Sequence, residues 1–478
     1  MADEQRVHFH KKSPEMADEQ RVHLLLVPFP AAGHMLPLLD LAGLLSESFH
    51  PAIIITVAVT PKNVSLLAAR CPAASPLVLP FPSDPAIPPG VENAHEDPST
   101  DVRLLMRAFA GLHLPLLRWA QDHRPTALLS DFFCGWTNLL AAELGVPRLV
   151  FSPSGALCLS LIHSLWRRMP KRNNPNDPVE LILFPDLPGS PLYPWRHLAS
   201  NYRLYVEGDP LSEFAKELYL ANPRSWGFIF NTFTELERTY LHHLRHDLGH
   251  ARVWAVGPLA TPPGTSVGLE ERLAAWLGAS PKGSVVYVAF GSLAELSPAQ
   301  AEALAAGLER SGARFVWATR GAVAMPVGFE ERVAGRGLVL AGWAPQVAIL
   351  NHAAVGAFIS HCGWNSVLEA VAAGVSLLTW PMTADQFFNA RLLEEEIGTG
   401  VRACEGGEEA VPQPEELARL VAEAVGEAGR ARREKARELG RKAAEAVSEG
   451  GSSARDLANL VDKLSKVAID QTIGEPRV

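Results

Sequence analysis

A chain of 478 residues exceeds what a single hydrophobic core organises, and at about 150 residues per domain it implies two or three domains. Apolar residues make up 47% and charged residues 20%, with 37 Gly and 38 Pro, which excludes disordered and collagen-like chains. The net charge of −9 would repel a phosphate backbone, so nucleic acid is not an expected partner.

The chain opens on a repeat. MADEQRVH runs from Met1 to His8 and again from Met16 to His23, around a polar FHKKSPE. Only the second copy leads into an apolar segment, so residues 1–21 read as a disordered, duplicated start and the fold as beginning at Val22. From there strands and helices alternate. His23 to Phe29 is a short apolar run closed by Pro, and Leu36 to Leu45 places Leu at helical spacing. Ile53 to Val59, Ala127 to Ser130, Arg148 to Phe151 and Phe228 to Phe230 repeat the strand pattern, separated by stretches such as Leu104 to Ala120 that read as helix. The loops Ser83 to Asp101 and Lys171 to Arg196 are Pro-rich and long enough to help define a pocket.

Between residues 256 and 270 the texture turns to Pro, Gly, Thr and Ser, a linker composition. Alternation then resumes. Strands are expected at Val285 to Phe290, Phe315 to Ala318, Leu338 to Leu340, Val355 to Ser360 and Val375 to Thr379, with helices at Pro298 to Gly312 and Trp364 to Ala373. Pro414 to Lys466 is rich in Ala, Glu, Arg and Leu and reads as helix, broken at Glu449-Gly450-Gly451. The expected class is α/β: two doubly wound domains with parallel sheets, over residues 22–255 and 271–452, and a last helix over 453–478 returning to the first.

The five cysteines, Cys71, Cys134, Cys158, Cys362 and Cys404, are odd in number and lack C-x-x-C spacing, which fits a reducing compartment. Apolar stretches are interrupted before the roughly 18 residues a spanning helix needs, the start lacks a signal-type apolar core, and no anchor follows Ile469. A cytoplasmic protein without stable membrane insertion is expected. Nothing in the pattern specifies an oligomeric state.

Ligands of open α/β sheets bind outside the carboxyl ends of the strands, so the chemistry should lie there. The run Val355 to Ser360 ends in His361-Cys362-Gly363-Trp364-Asn365-Ser366, and a helix follows. Gly363 allows close backbone approach, and the helix start offers unpaired N–H groups and a positive dipole end to a pyrophosphate. Glu369 lies one turn beyond Asn365 and could accept from a ribose diol. An ordinary capped helix over a buried Cys would show the same six residues. The surroundings argue further: Trp343 and Gln346 follow one strand, Asp385 and Gln386 another, and Phe290-Gly291-Ser292 closes a third, giving a ring to stack on, groups for sugar hydroxyls and a second tight turn.

The segment from Trp343 to Gln386, WAPQVAILNHAAVGAFISHCGWNSVLEAVAAGVSLLTWPMTADQ, resembles the signature motif of plant family 1 UDP-sugar-dependent glycosyltransferases in length and in nearly every marker residue. PFPAAGHMLPLLDLA, SDFFCGW, NTFTELE and VVYVAFGS extend the resemblance across nearly the whole chain after the repeat. It implies the GT-B fold, two Rossmann-like domains facing across a cleft. By the same resemblance Trp343 would stack on uracil with Gln346 beside the nucleoside, and Glu369 would bind the ribose. His361, Asn365, Ser366 and Ser292 would hold the diphosphate, while Trp364, Asp385 and Gln386 would contact the sugar. A terminal Gln in the motif goes with UDP-glucose more often than UDP-galactose. Ser376 departs from the usual Pro at a strand start.

His34 follows the first strand and a Pro-Ala-Ala-Gly turn, where the positive end of the next helix favours a neutral imidazole, and Asp131 ends another strand. Either residue alone reads as a polar surface group or a helix cap; together they match the family's His and Asp dyad. The resemblance then implies inverting transfer, with His34 as general base assisted by Asp131, from a UDP-sugar, glucose first, to a hydroxyl of a small phenolic acceptor such as a flavonoid or benzoate. Phe132, Phe133, Trp136, Phe151, Met382 and Phe387 are candidates for the acceptor pocket. No D-x-D occurs, so neither a metal nor another cofactor is expected, the UDP-sugar being a co-substrate. SDFFCGW and FSPSG resemble a branch some of whose members use UDP-rhamnose or UDP-xylose, and Pro153 stands where many members have Thr, which leaves the donor open; C-glycosylation is a further alternative, and a non-catalytic UDP-sugar-binding protein is the rival of another class. A nicotinamide dehydrogenase lacks its G-x-G-x-x-G here, and the one G-x-S-x-G-like run, Gly264 to Gly268, has no strand leading into it.

Overall fold

The computed structural model describes residues 21–97, 99–259, 269–291, 295–319, 325–407 and 409–473. The expectation for 1–21 therefore falls, but for Arg21, outside the described residues, as do most of the linker and the run Gly264 to Gly268. The chain divides into two compact units, one of residues 1–192, 201–265 and 445–478, the other of 193–200 and 266–444. Residues 193–200 thus group with the second unit, although they fall inside the range expected for the first. Their aromatic side chains account for this: His197 stacks on Phe387 at 4.3 Å and Tyr193 meets Phe388 edge-on at 5.2 Å.

The first unit is built on strands β1 (Val22–Val27), β2 (Ile53–Val59), β3 (Ser75–Val78), β4 (Ala127–Asp131), β5 (Arg148–Ser152), β6 (Gly227–Phe230) and β7 (Val253–Ala255). They pair in the order β3-β2-β1-β4-β5-β6-β7, every pair parallel. Parallel strands need crossovers that cover both faces, and this is why VHLLLV and ALLSD are buried almost throughout rather than alternating. Helix α1 (Ala32–Phe49) follows β1 and buries Leu38, Leu39, Leu41, Ala42 and Leu45 in the core formed by β1 and β2. Helices α2 (Thr137–Leu144), α3 (Ala156–Arg168) and α4 (Thr234–Asp247) follow β4, β5 and β6. The C-terminal helix Ser452–Ile473 sends Leu457, Leu460, Val461 and Leu464 into the same core. Its Asp456 accepts from the backbone N–H of Ala255 at 2.8 Å, and its Asn459 from the Trp254 indole at 2.9 Å, which closes the β7 edge against stray pairing.

The second unit repeats the plan with β8 (Val285–Ala289), β9 (Arg314–Thr319), β10 (Gly337–Ala341), β11 (Val355–Ser360), β12 (Ser376–Thr379) and β13 (Gly400–Arg402). The order is β10-β9-β8-β11-β12-β13, again wholly parallel, over a core of Val286, Val288, Phe315, Trp317, Ile359, Leu378 and Trp380. Helices α5 (Pro298–Ser311), α6 (Trp364–Ala372) and α7 (Gln386–Arg391) follow β8, β11 and β12. At the start of β12 the Ser376 hydroxyl donates to the Gly356 carbonyl at 3.2 Å. Both units are Rossmann-like, the GT-B pair of domains. Among the described residues no helix is long and apolar enough to cross a membrane.

Candidate functional site

Both sheet orders reverse direction once. In the first the chain winds outward from β1 to β2 and β3, then returns to lay β4 on the other side of β1; in the second, β11 lies beside β8 in the same way. The carboxyl ends on either side of such a reversal border the crevice where open α/β sheets take ligands. His34 and Asp131 stand at the first of these points, and His361 and Gly291 at the second.

At the first, His34 is the third residue of α1, just beyond β1, and Asp131 is the last residue of β4. His34 Nδ1 and Asp131 Oδ2 are 2.9 Å apart; the carboxylate is fully buried and the imidazole side chain 20% exposed. A carboxylate here can only accept, so Nδ1 carries the proton and Nε2 is left as the acceptor. The other carboxylate oxygen, Oδ1, accepts from the Phe133 backbone N–H at 2.8 Å, fixing its rotation. The imidazole stacks on Phe132 at 5.5 Å, tilts against Phe133 at 4.4 Å and meets Phe29 edge-on at 5.7 Å. An imidazole is thus held in one tautomer and one orientation within an aromatic surround.

The other pocket candidates separate. Phe132 and Phe133 touch the imidazole, and Trp136 lies close by, against Phe109 at 6.2 Å. Phe151 is different: it is 0% exposed within the hydrophobic core of the first sheet, so it supports the strand and cannot wall an acceptor pocket. Met382 and Phe387 are buried in the second unit, the latter under His197. Tyr219, from helix Pro210–Ala221, is a neighbour that the sequence did not reveal, its ring 6.0 Å from that of Phe133. It lies far along the chain from the dyad and in no motif, so no local signal marks it.

At the second point, His361 follows β11 and Gly291 follows β8. A Cβ on either Gly291 or Gly363 would lie 2.5 Å from His361 Nε2, so both glycines are required for the imidazole to seat between the two turns. Burial pushes His361 down to about 4, and its buried Nδ1 has no partner among the described residues. At neutral pH the ring is therefore a neutral donor and acceptor, not a cation. Ser292 lies outside the described residues. Cys362 holds a positive φ of 62°, its carbonyl accepts from Asn389 Nδ2 at 3.0 Å, and burial pushes its thiol up, which leaves no thiolate for covalent chemistry.

Asn365 and Ser366 occupy the first turn of α6, at the positive end of the helix dipole. Gln346 Nε2 donates to Ser366 Oγ at 2.9 Å and to Glu369 Oε2 at 2.7 Å, so three expected nucleotide contacts form one network. Trp343 is 64% exposed and free to receive a flat ring. Trp364 departs from expectation: it is 4% exposed, which leaves little of its ring for a sugar. Asp385 and Gln386 stand at the start of α7, where Gln386 Oε1 accepts from the backbone of Met382 and Thr383 at 2.8 and 2.9 Å. Its amide nitrogen remains the group available to a ligand.

Comparison with known proteins accords with this arrangement. Residues 263–406 match the family model described as UDP-glucoronosyl and UDP-glucosyl transferase. The chain is 48% identical to the flavonol 3-O-glucosyltransferase UGT89B1 of Arabidopsis thaliana, over 84% of this chain and 88% of that protein. It is also 48% identical to UDP-glycosyltransferase 89B2 of Stevia rebaudiana, over 93% and 98%. Among solved structures, Arabidopsis thaliana UGT89C1 superposes with a TM-score of 0.76 at 36% identity, over 93% of this chain and 100% of that one. The same neighbour complexed with UDP-L-rhamnose gives 0.75 at 34%, over 93% and 99%, and with quercetin 0.75 at 35%, over 93% and 100%. The chain belongs to the plant family 1 UDP-dependent glycosyltransferases, in their flavonoid-acting branch.

Proposed function

We propose that the chain transfers glucose from UDP-glucose to a hydroxyl of a flavonoid, with inversion, His34 acting as general base and Asp131 as its orienting carboxylate. The observation that carries this reading is the 2.9 Å bond between His34 Nδ1 and the fully buried Asp131, which leaves Nε2 as the one ring nitrogen able to take a proton. A mere UDP-sugar binder has no use for such a pair.

In the reaction, Nε2 accepts the proton of the acceptor hydroxyl as that oxygen bonds to the anomeric carbon. The bond from that carbon to the diphosphate oxygen breaks on the opposite side, and its electron pair leaves with UDP, so an α-linked donor gives a β-glycoside. Asp131 stabilises the imidazolium that forms. The charge gathering on the diphosphate falls to the N–H groups at the start of α6 and to a neutral His361, with no metal required. Gln386, and the higher identity to a flavonol glucosyltransferase than to the neighbour crystallised with UDP-L-rhamnose, support glucose as the donor sugar.

The test pairs the purified protein with UDP-glucose or UDP-L-rhamnose and quercetin, with products read by mass and linkage. Glucoside from the wild type, and none from His34→Ala with UDP affinity within a few fold, is the expected result. Undiminished turnover in His34→Ala would overturn the base assignment; rhamnoside alone would overturn the donor.

A further inference from the structure

Arg148 opens β5 opposite Leu128 of β4 and is 2% exposed, a guanidinium taken almost wholly out of water. Its Nε donates to Ser130 Oγ at 2.9 Å and Thr137 Oγ1 at 2.7 Å, and Nη1 to Asn222 Oδ1 at 3.0 Å and Ser225 Oγ at 2.7 Å. Nη2 donates to the carbonyls of Cys134 at 3.2 Å and Asp131 at 3.5 Å. Among the described residues every one of these acceptors is neutral. A buried cation satisfied only by dipoles is costly unless an opposite charge lies near, and the buried carboxylate at hand is that of Asp131, whose own backbone the guanidinium grips. Asp131 has the mirror-image need, since among the described residues its two oxygens meet an imidazole and one backbone N–H.

We propose that Arg148 is a positioning residue of the transfer reaction: it pins the turn from Asp131 to Cys134 that aims the carboxylate at His34, and it sets a buried positive charge behind that carboxylate. This rests on the reading of His34 as base. Burial pushes Arg148 down to about 10, while Cys134 and Asp131 pull it back, so it stays charged at neutral pH. The titratable groups facing Asp131 are His34 from α1, Arg148 from β5, Cys134 from the turn and Tyr219 from helix Pro210–Ala221. Burial pushes the Cys134 thiol and the Tyr219 phenol well up, and the segment behind the guanidinium contributes only neutral Asn222 and Ser225. Neither the thiol nor the phenol therefore adds a charge beside Asp131 near neutral pH.

Two variants separate pinning from charge, assayed with UDP-glucose and quercetin. Arg148→Lys keeps the charge and loses the fork, so kcat should fall about tenfold or more with the acid limb of kcat/KM in place and UDP affinity unchanged. Asn222→Asp is nearly isosteric and sets a carboxylate on Nη1, which cancels the charge that Asp131 faces. Less positive surroundings raise the proton affinity of the dyad, so the acid limb should move up by about half a unit or more. Loss of the Asn222 bond to the Phe132 carbonyl, 2.8 Å in the native protein, would lower the rate without moving the limb. Wild-type kcat in Arg148→Lys, or an unmoved limb in Asn222→Asp, overturns the proposal; should Asn222→Asp not fold, the Arg148→Lys rate decides it. His34→Ala run alongside distinguishes the failures: if it is fully active the base assignment falls too, and if it is dead while the limb stays fixed, only the role of Arg148 falls.

Discussion

Three imidazoles of this chain are treated differently by their surroundings. His34 is given a carboxylate and partial access to solvent. His361 is wedged between two glycine turns and kept neutral by burial. His163, on α3, is 3% exposed, and neither ring nitrogen finds a partner among the described residues. Burial pushes His163 down to about 4, against a partial pull upward from Asp247. Its folded value lies below the unfolded one, so the unfolded chain binds the proton more readily. The stability tied to neutral His163 is whole above about pH 6.5 and is lost as pH falls toward 4; at pH 5 the loss is about 2 kcal/mol. His163→Leu should therefore shrink the drop in melting temperature between pH 7 and pH 5, though His361 and His197, also pushed down to about 4, keep some of it. Equal drops in the variant and the wild type would refute this. For the dyad, Asp131→Asn should cut kcat by about a hundredfold or more by freeing the tautomer of His34, with UDP affinity retained; steady-state kinetics beside UDP titration would show whether the two separate.

At the scale of elements, what the sequence revealed follows from how local each determinant is. Ile53–Val59 and Val355–Ser360 have the ends read from the sequence, because unbroken apolar runs stop there at polar or turn residues. Ser75–Val78, Val253–Ala255 and Gly400–Arg402 escaped notice: each is three or four residues long and lies at a sheet edge, and their pairing is set by distant partners. The single helix expected over Leu104 to Ala120 divides into Val102–Phe109 and His113–His123 around a tighter turn at Ala110–Leu112, where a Cβ on Gly111 would press to 2.9 Å from Pro82. His34, Asp131 and the Trp343 to Gln386 segment could be singled out because they lie in continuous runs at strand ends that resemble a known family. Arg148 was not, since its acceptors come from β4, α2 and the segment near Asn222. The motif NTFTELE gained a purpose only in three dimensions: Glu237 accepts from the N–H groups of Ala156 and Leu157, both at 2.9 Å, and so caps α3 from another element. The turn at Gly291 offers a test at this scale. Gly291→Ala forces a Cβ against His361 at a φ of 75°, whereas Gly312→Ala, at 66°, has nothing within 4 Å and carries the backbone strain alone. UDP affinity should fall about tenfold in the first and hold in the second; equal affinities, by calorimetry, would mean that His361 does not need its seat.

For the whole molecule, the consequential fact is that the chain contains two separate reversals of strand order, each with its own chemistry. The first holds the His34 imidazole and, 2.9 Å from it, the buried Asp131 carboxylate. The second holds the Gln346, Ser366 and Glu369 network, the start of α6 and an exposed Trp343. Each unit has a core of its own, so a ligand taken by one need not stabilise the other. A ligand that binds only the native form adds RT ln(1 + [L]/Kd), about 2.7 kcal/mol at a hundredfold excess over Kd. With UDP as that ligand, hydrogen exchange should slow in β11, α6 and the turn between them, and in the short helix Gln346–Leu350. Exchange in β1, α1 and β4 should change little. His34→Ala should show the same pattern at full amplitude, because the imidazole of the first unit is assigned to the acceptor hydroxyl and not to the nucleotide. Protection spread over β1 and β4, or lost in His34→Ala, would move the nucleotide to the first unit and undo the division of labour between donor and acceptor halves.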